Sequence, residues 1–184
     1  MVLPSAMKAA ALLASISFAF IAGRRWNRTS PDCGNGLVQI KSCHDGDTCS
    51  VVAHIGSEAL TFHVRLAGID APEVPSRHGF SHGQPFGAEA TERLNGLVGG
   101  QSVSIHQIAL DPFNRPIVEL RRGASNVGIA LLAEGLAEVY RHPSPGLDEE
   151  LYRQTEQSAK DERRGIWSQA APESPAAFRK RQAH

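Results

Sequence analysis

The sequence is short of cysteine, has no excess of either charge, and lacks an apolar run of the roughly 20 residues that cross a bilayer core. Its 184 residues contain three cysteines, which do not form the two spaced pairs of a zinc ribbon, so a structural zinc site is disfavoured. Lys plus Arg and Asp plus Glu both number 19, which gives a formal net charge of zero. This balance argues against a uniformly basic domain that binds nucleic acid through charge alone.

The composition is that of one folded domain with tails. Hydrophobic residues make up 41% of the chain, and its 17 glycines and 11 prolines follow no period, which excludes a collagenous or low-complexity chain. The charge is unevenly distributed, because residues 37–168 carry 12 basic and 17 acidic side chains, a net charge of −5, while the two ends carry the opposite +5. The zero total is therefore a cancellation between an acidic centre and basic ends.

The N-terminal segment is typical of an export signal. An uncharged apolar run, Ala9–Gly23, follows Lys8 and contains Ser17 and Ala19 at the spacing of a cleavage site. We expect cleavage and export, either to a periplasm or out of the cell. Two alternatives stay open: an uncleaved membrane anchor formed by residues 9–23, and a buried helix of the domain.

Composition also sets the expected domain limits. Residues 1–23 are the signal peptide or anchor, and residues 24–36, which contain Pro31, Gly34 and Gly36, are predicted to be a linker. The folded domain is predicted over residues 37–168. The Pro- and Ala-rich segment 169–184 is predicted to be a disordered tail.

The three cysteines fit an exported protein with one disulfide and one free thiol. Cys43 and Cys49 flank an Asp-Gly turn between two segments rich in β-forming residues, so they can face each other across a hairpin. We predict a Cys43–Cys49 bridge. Pairing of Cys33 with either of them stays open.

The hydrophobic pattern predicts three strands, a helix, two strands and two helices. Predicted strands are Leu37–Lys41, Cys49–His54, Ala59–Leu66, Gln101–Ala109 and Pro116–Arg121, and predicted helices are Gly87–Val98, Asn126–Glu134 and Leu147–Arg164. In the last helix, Leu151 and Ala159 are expected to face inward. This order predicts an α+β, mainly β fold: a five-stranded Greek-key barrel of the OB type, with a helix after the third strand and C-terminal helices packed against it.

Two segments place carboxylates where chemistry is possible. Asp45-Gly46-Asp47-Thr48 is a typical hairpin turn, but its two carboxylates are also hard oxygen donors suited to Ca²⁺ or Mg²⁺. Arg65 to Glu73 carries Arg65, Asp70 and Glu73 in an otherwise apolar stretch, where charges need a partner. A salt bridge between Arg65 and Asp70 that holds the strand end is the simpler interpretation. In the functional interpretation, Arg65 binds a phosphate, Asp70 binds a metal and Glu73 acts as a general base.

A third segment, Asp111-Pro112-Phe113-Asn114-Arg115, is a turn whose simplest interpretation is an exposed type I turn. Its co-occurrence with the other two changes that interpretation. Metal-binding carboxylates, one glutamate and two arginines on three strand ends are the groups needed to hydrolyse a phosphodiester.

With these motifs the chain closely resembles the staphylococcal nuclease-like, or thermonuclease, family. The family signatures are a D-G-D-T turn, an R-L-x-G-I-D-x-P-E strand end and a D-x-[YF]-x-R turn, and all three stand here in family order. The resemblance runs from about Leu37 to Trp167 and includes the Gly87 helix start, the turn at Gly135 and the closing Gly165-Ile166-Trp167. It implies an OB barrel with helices and an endonuclease acting on DNA and RNA with little sequence specificity.

The resemblance also implies roles for particular residues. Metal ligands for Ca²⁺ would be the Asp47 and Asp70 side chains and the Ala71 carbonyl, and Asp45 would support the ion through water. Catalytic residues would be Glu73, which activates or positions the attacking water, and Arg65 and Arg115, which bind the phosphate. The products would carry 3′-phosphates, and the chain is expected to act as a monomer.

The sequence departs from the family in the loop Val74–Phe86. Where the best-known member has lysines, this chain has Arg77, His78 and His82, which weakens non-specific binding of DNA at neutral pH and partly restores it when the histidines are protonated. A histidine zinc site there is a minor alternative, without a third ligand nearby.

Two aromatic positions and one competing function complete the expectations. Phe113 stands where the family has Tyr and is expected to pack in the core, and Tyr140 has no firm alignment with the family's aromatic region. The competing function is an OB-fold module that binds nucleic acid or a protein partner without cleaving it. Retention of five site residues disfavours that alternative.

Overall fold

The computed structural model describes residues 36–55, 57–75, 82–142, 144 and 146–182. Outside these residues lie the predicted export signal, nearly all of the predicted linker, Cys33, Arg77 and His78, so the predictions for them stay predictions. Within the described part of the chain, no helix is long and apolar enough to span a membrane.

The chain begins with an antiparallel meander, as predicted. Its strands are β1 (Leu37–Cys43), β2 (Thr48–Ile55) and β3 (Glu58–Leu66). In β1 buried and exposed side chains alternate, with Val38 and Ile40 in the core, because successive side chains of a strand point to opposite faces. Two more long strands follow, β5 (Ser102–Leu110) and β6 (Pro116–Arg122), and three two-residue strands, β4 (Ile69–Asp70), β7 (Ser125–Asn126) and β8 (Glu138–Val139).

The five long strands close into a barrel. Their order is β3-β2-β1-β5-β6, and a parallel pairing of β3 with β6, which sets Arg65 opposite Ile117 and Leu66 opposite Val118, joins the two ends. Closure removes the free edges of the sheet and leaves an apolar interior that includes Val51, Val64, Leu94, Val103, Val118 and Leu120. The predicted α+β fold with an OB-type barrel is therefore confirmed.

Four helices are described beside the barrel strands, and three of them begin at a side-chain cap. They are α1 (Gly87–Val98), α2 (Val127–Ala133), α3 (Glu149–Asp161) and α4 (Pro175–Gln182), with a 3₁₀ turn at Gly165–Ser168. The side chains of Asn126 and Asp148 accept hydrogen bonds from the first turns of α2 and α3, at 3.2 and 3.1 Å. These bonds satisfy backbone donors that have no partner within the helix.

The prediction that Leu151 of α3 faces the core is wrong. Leu151 is 46% exposed, whereas Tyr152 and Ala159 are buried. The Tyr152 hydroxyl lies 3.1 Å from the Asn126 side-chain nitrogen, so this large ring can be buried while its polar atom keeps a partner. The helix is therefore rotated by about one residue from the orientation that Leu151 suggested.

The predicted disordered tail contains a helix instead. Helix α4 occupies residues 175–182, with Pro175 at its first position and Ser174 before it. The Ser174 hydroxyl accepts a hydrogen bond from the Ala177 N–H at 3.2 Å, which is the geometry of an N-cap followed by proline. Phe178 anchors the helix and is only 4% exposed. The prediction of disorder is wrong because it rests on the Pro- and Ala-rich composition of the segment, which does not reflect this capping signal.

The hairpin disulfide forms as predicted. Cys43 and Cys49 are register partners across β1 and β2 and are bonded to each other. Both are buried at the mouth of the Asp45–Thr48 turn. The bridge therefore ties together the two strands from which that turn projects.

Removal of this bridge should destabilise the domain. We expect the double variant Cys43→Ala, Cys49→Ala to lose about 2 kcal/mol of unfolding free energy, since a crosslink over so short a loop restricts the unfolded chain only modestly. Urea unfolding measures the loss, and Cys33→Ala is the matched control. An equal loss in the control, or mass mapping that finds Cys43 as a free thiol, would contradict the assignment.

Candidate active site

The Asp45–Thr48 turn brings one carboxylate into the protein. Asp45 Oδ1 accepts a hydrogen bond from the Asp47 N–H at 3.0 Å, and the Leu66 N–H donates to the Asp47 carbonyl at 2.8 Å. These bonds fix the turn against the end of β3. As a result, Asp47 is only 4% exposed. The motif is therefore a turn, as its simpler interpretation predicts, and the same turn buries a carboxylate.

Gly46 is required by close packing within this turn. A Cβ atom built on Gly46 would lie 2.5 Å from the Ala71 Cβ and 2.8 Å from the Ala90 Cβ. The turn therefore presses against both the chain after β4 and helix α1. This contact sets the distance between the Asp47 carboxylate and the segment that carries Asp70 and Ala71.

Arg65 joins the two buried aspartates. Its Nη1 lies 3.0 Å from Asp47 Oδ1 and its Nη2 lies 2.9 Å from Asp70 Oδ1. Asp47 Oδ2 in turn accepts a hydrogen bond from the Ala71 N–H at 3.3 Å. The salt bridge predicted between Arg65 and Asp70 is present, and it is part of a larger network that contains the two predicted ligand side chains, Asp47 and Asp70, and the Ala71 N–H.

Glu73 lies at the rim of the same network and is positioned by Gln84. The Gln84 Oε1 accepts from the Glu73 N–H at 3.0 Å, and the Gln84 N–H donates to the Glu73 carbonyl at 2.8 Å. Two bonds between the same pair of residues hold the backbone of Glu73 in place. Gln84 is a residue that the sequence reasoning missed, since a lone glutamine in a loop gives no signal.

A second arginine, from the C-terminal helix, completes the cluster. Arg179 donates to both oxygens of Asp70, at 3.0 and 2.7 Å, and to Glu73 Oε1 at 2.6 Å. The hydrogen bonds that Arg179 donates to Asp70, and to a smaller extent to Glu73, raise the pKa of the Arg179 guanidinium above its ordinary value despite partial burial. Arg179 was also missed, because it lies in the segment expected to be disordered.

The network leaves Asp47 short of positive charge. Burial raises the pKa of Asp47 to about 7, and the neighbouring carboxylates of Asp45 and Asp70 act in the same direction. Arg65 and the Thr48 hydroxyl oppose the shift without cancelling it. A further cation beside Asp47 would therefore be favourable at neutral pH.

Arg115 lies in its own turn beside the barrel. Its Nε donates to Asp111 Oδ2 at 2.9 Å, and Asp111 Oδ1 accepts from the backbone N–H groups of Phe113 and Arg115, each at 2.8 Å. Although burial opposes it, these bonds lower the pKa of Asp111. Ile117, two residues after Arg115, pairs with Arg65, so the turn that carries Arg115 leads into the strand beside Arg65.

The expectation that Phe113 packs in the core is wrong. Its side chain is 87% exposed at the tip of the Asp111–Arg115 turn. Three residues separate Asp111 from Arg115, which are hydrogen-bonded to each other, and the ring of the middle residue points outward. Tyr140, which the sequence did not place, stacks on the site instead, with its ring 5.6 Å from the Arg65 guanidinium carbon.

The sequence predicts a metal held by two carboxylates and one carbonyl. Among the residues that the structure describes, no group of three or more His, Cys, Asp or Glu side chains is arranged to hold a metal ion. Asp47 and Asp70 nevertheless converge on one guanidinium, and Asp70 with Glu73 on another. The cluster therefore places carboxylate oxygens, the donor type that Ca²⁺ prefers, beside positively charged groups.

The comparison with protein families agrees with this fold and site. A family model described as staphylococcal nuclease homologue matches residues 63–169, more than half of the chain. The chain therefore belongs to the staphylococcal nuclease homologue family, and the resemblance inferred from the motifs is confirmed. The matched range contains Arg65, Asp70, Ala71, Glu73 and Arg115, and begins after Asp47.

Several fungal proteins named "Probable endonuclease LCL3" are similar to this chain. The protein of Zygosaccharomyces rouxii is 35% identical over 128 residues, which cover 66% of this chain and 46% of that protein. The protein of Clavispora lusitaniae is 38% identical over 120 residues, covering 61% and 51%, and that of Phaeosphaeria nodorum is 33% identical over 170 residues, covering 82% and 54%. The chain thus spans about half the length of these curated relatives.

A methyl group at Gly46 should disturb the site through packing. Gly46→Ala forces the turn away from Ala71 and Ala90, and we expect a loss of about 1–3 kcal/mol in unfolding free energy. Gly96→Ala is the matched control, because a Cβ there meets no atom within 4 Å and alanine favours a helix. Chemical denaturation of both variants checks the prediction, and equal stabilities would refute it.

Glu138 is a half-buried carboxylate that pairs with the segment of Asp70, and it makes stability depend on pH. The two residues pair across β4 and β8. Burial raises the pKa of Glu138 to about 7, and the charges of Asp70 and Glu156 add to the shift. Because the folded-state pKa lies above the ordinary value, the folded protein holds the proton more tightly, and stability falls as pH rises through that range.

Glu138→Gln removes this pH-dependent penalty. In metal-free buffer, the variant should be more stable than the wild type at pH 8, and the difference should disappear near pH 5, where Glu138 is protonated in the fold. Thermal unfolding across this range measures both, with Glu92→Gln on the exposed face of α1 as the control. A stability difference between Glu138→Gln and wild type that does not change with pH would contradict the assignment.

Proposed function

We propose that this protein is a metal-dependent endonuclease that hydrolyses the phosphodiester bonds of DNA and RNA with little sequence specificity. The observation that carries the proposal is the convergence of three carboxylates at one end of the barrel: Arg65 joins Asp47 to Asp70, and Arg179 joins Asp70 to Glu73, through contacts of 2.6 to 3.0 Å. A binding surface has no need of buried carboxylates, which repel phosphate. A hydrolytic site needs them.

We assign to Glu73 the positioning and deprotonation of the attacking water. Its carboxylate lies at the rim of the cluster, where its side chain is 20% exposed and its Oε1 accepts from Arg179. Its backbone is fixed by Gln84, so the carboxylate is aimed before substrate binds. In the proposed reaction Glu73 orients the water and accepts its proton as the water oxygen attacks phosphorus.

Arg65 and Arg115 bind the phosphate group. Arg65 is held by two aspartates, which raise its pKa against the opposing effect of burial, so it stays charged while a planar fork faces the site. Arg115 is fixed by Asp111 in the same turn. Together they stabilise the negative charge that grows on the phosphate, and we assign to Arg115 the additional assistance of the leaving 5′-oxygen. The products would then carry 3′-phosphates.

Ca²⁺ is the proposed cofactor. The side chains of Asp47 and Asp70 and the carbonyl of Ala71 would hold it, and Asp45 would support it through water. The raised pKa of Asp47 and the arginine already drawn to Asp70 both support a site that accepts positive charge. The ion would supply polarisation of a non-bridging phosphate oxygen.

Nucleic acid would be held locally in this mechanism. The central domain is acidic, with a net charge of −5 over residues 37–168, so general attraction to the phosphate backbone is weak. Binding would depend on the arginines and the metal. The exposed Phe113 beside Arg115 offers an aromatic face next to the phosphate site.

We also propose a compartment and an oligomeric state for the protein. The apolar segment 9–23 supports export to a periplasm or the outside, with anchoring by that segment as the alternative. The cross-strand disulfide also supports an oxidising compartment. We propose that the protein acts there as a monomer.

The competing function is a barrel that binds nucleic acid or a protein without cleaving it. Plasmid DNA incubated with the wild type and Ca²⁺ should be nicked and degraded, and EDTA should abolish the reaction. Glu73→Gln keeps the shape of the side chain and removes its basicity, so it should lower the rate by roughly 100-fold or more. A wild type that leaves plasmid intact with every divalent ion tested would favour the binding module.

The two arginines give a separate test. We expect Arg65→Ala and Arg115→Ala each to reduce turnover by roughly 100-fold or more while the protein stays folded by circular dichroism. Arg93→Ala is the control, because Arg93 forms an exposed salt bridge with Glu134 on the surface. Near-wild-type turnover in either site variant would overturn the role given to that arginine.

A further inference from the structure

Helix α4 places a positive charge on the two carboxylates that the proposed reaction needs free. The Arg179 guanidinium contacts both oxygens of Asp70 and one oxygen of Glu73, all within 3.0 Å. In the proposed function, which this inference presupposes, Asp70 holds the metal and Glu73 accepts a proton. Neither can do so fully while Arg179 occupies these atoms.

The helix is docked through more than this one ion pair. Pro175 and Phe178 are buried, so an apolar surface holds α4 against the domain. The Gln84 side-chain Nε2 donates to the Glu173 carbonyl at 2.9 Å, while its Oε1 holds the Glu73 N–H. Gln84 therefore connects the backbone before α4 directly to the backbone of the proposed general base.

The segment is also stiffened from within. Arg181 pairs with Glu173 through two hydrogen bonds of 3.0 and 2.9 Å, and its guanidinium carbon lies 5.0 Å from the centre of the Phe178 ring. These contacts order the helix around its buried anchor. Arg179 is thus presented to the site from a structured element.

A divalent cation and the Arg179 guanidinium are mutually exclusive at Asp70. Every oxygen of Asp70 is already used, since Oδ1 accepts from Arg65 and Arg179 and Oδ2 accepts from Arg179. Two positive groups on one buried carboxylate would also repel each other at short range. Binding of either one therefore weakens binding of the other by the same factor.

We infer that α4 is an autoinhibitory segment: Arg179 closes the site by occupying Asp70 and Glu73, and binding of the metal releases it. The closed state would keep a nuclease with a preformed site inactive until the ion is present. Release would expose Asp70 to the metal and Glu73 to water in one step, because one side chain blocks both.

The first test measures Ca²⁺ binding by titration calorimetry on the full chain without nucleic acid. We expect Arg179→Ala to bind Ca²⁺ roughly tenfold more tightly than the wild type, within the usual range of coupling between sites. Lys180→Ala is the matched control, since Lys180 is the adjacent exposed cation on the same helix. Phe178→Ala, which removes the buried anchor and leaves Arg179 in place, should also bind more tightly than the wild type.

The second test measures hydrogen exchange at the amides of residues 174–182. Saturating Ca²⁺ should speed exchange there in the wild type, whereas in Arg179→Ala exchange should no longer depend on Ca²⁺. Unchanged Ca²⁺ affinity in Arg179→Ala and Phe178→Ala, or exchange in α4 that Ca²⁺ leaves unchanged or slows, would overturn the inference.

Plasmid cleavage keeps the two proposals apart. At Ca²⁺ concentrations below saturation, Arg179→Ala should cleave faster than the wild type, and at saturation the two rates should converge. If the wild type cleaves plasmid but Ca²⁺ affinity and exchange do not respond to Arg179, autoinhibition is wrong and the nuclease assignment stands. If Ca²⁺ releases α4 but no variant cleaves, the nuclease assignment is wrong and the competition between Arg179 and metal stands.

Discussion

Burial of the Asp70 carboxylate is the constraint on which the site depends. Asp70 is 1% exposed, and a carboxylate in that position is tolerated only when its charge is compensated by partners close by. Arg65 from β3 and Arg179 from α4 supply that compensation. Each of these arginines also pairs with one further acid, so a single buried charge draws the Asp45–Thr48 turn, the end of β3, the Glu73 segment and the C-terminal helix to one place.

The barrel makes this convergence possible. Asp47 precedes β2 and Arg65 lies near the end of β3, where Thr48 and Arg65 are register partners. Antiparallel pairing of β2 with β3 therefore places the Asp45–Thr48 turn beside the end of β3 through contacts that are close in sequence. The parallel closure of β3 on β6 then carries the Arg115 turn to the same neighbourhood. The disulfide and the tight packing of Gly46 limit how far the turn can move relative to this frame.

Features that depend on local sequence could be predicted, and features that depend on distant contacts could not. The hairpin, its disulfide and the cluster of Asp47, Arg65 and Asp70 follow from turn signals and strand pairing within about 25 residues. Arg179 meets Asp70 across 109 residues of chain, and composition gave its segment no reason to fold. The cap at Ser174 and the buried Phe178 provide that reason. Exposure of Phe113 was missed for a similar cause, because an aromatic ring alone does not say which face a turn presents.

The position of Arg179 also gives the charge distribution of the chain a structural meaning. The acidic centre and the basic ends have opposite net charges, which cancel in the net charge of the whole chain. Helix α4 brings part of the basic C-terminus onto the most acidic point of the domain, where Asp70 and Glu73 are close together. The same acidity that keeps free phosphate backbones away would therefore attract either the C-terminal arginine or a divalent cation. In the autoinhibited state that we infer, one of the basic side chains behind the neutral total, Arg179, occupies Asp70 in place of the proposed cofactor.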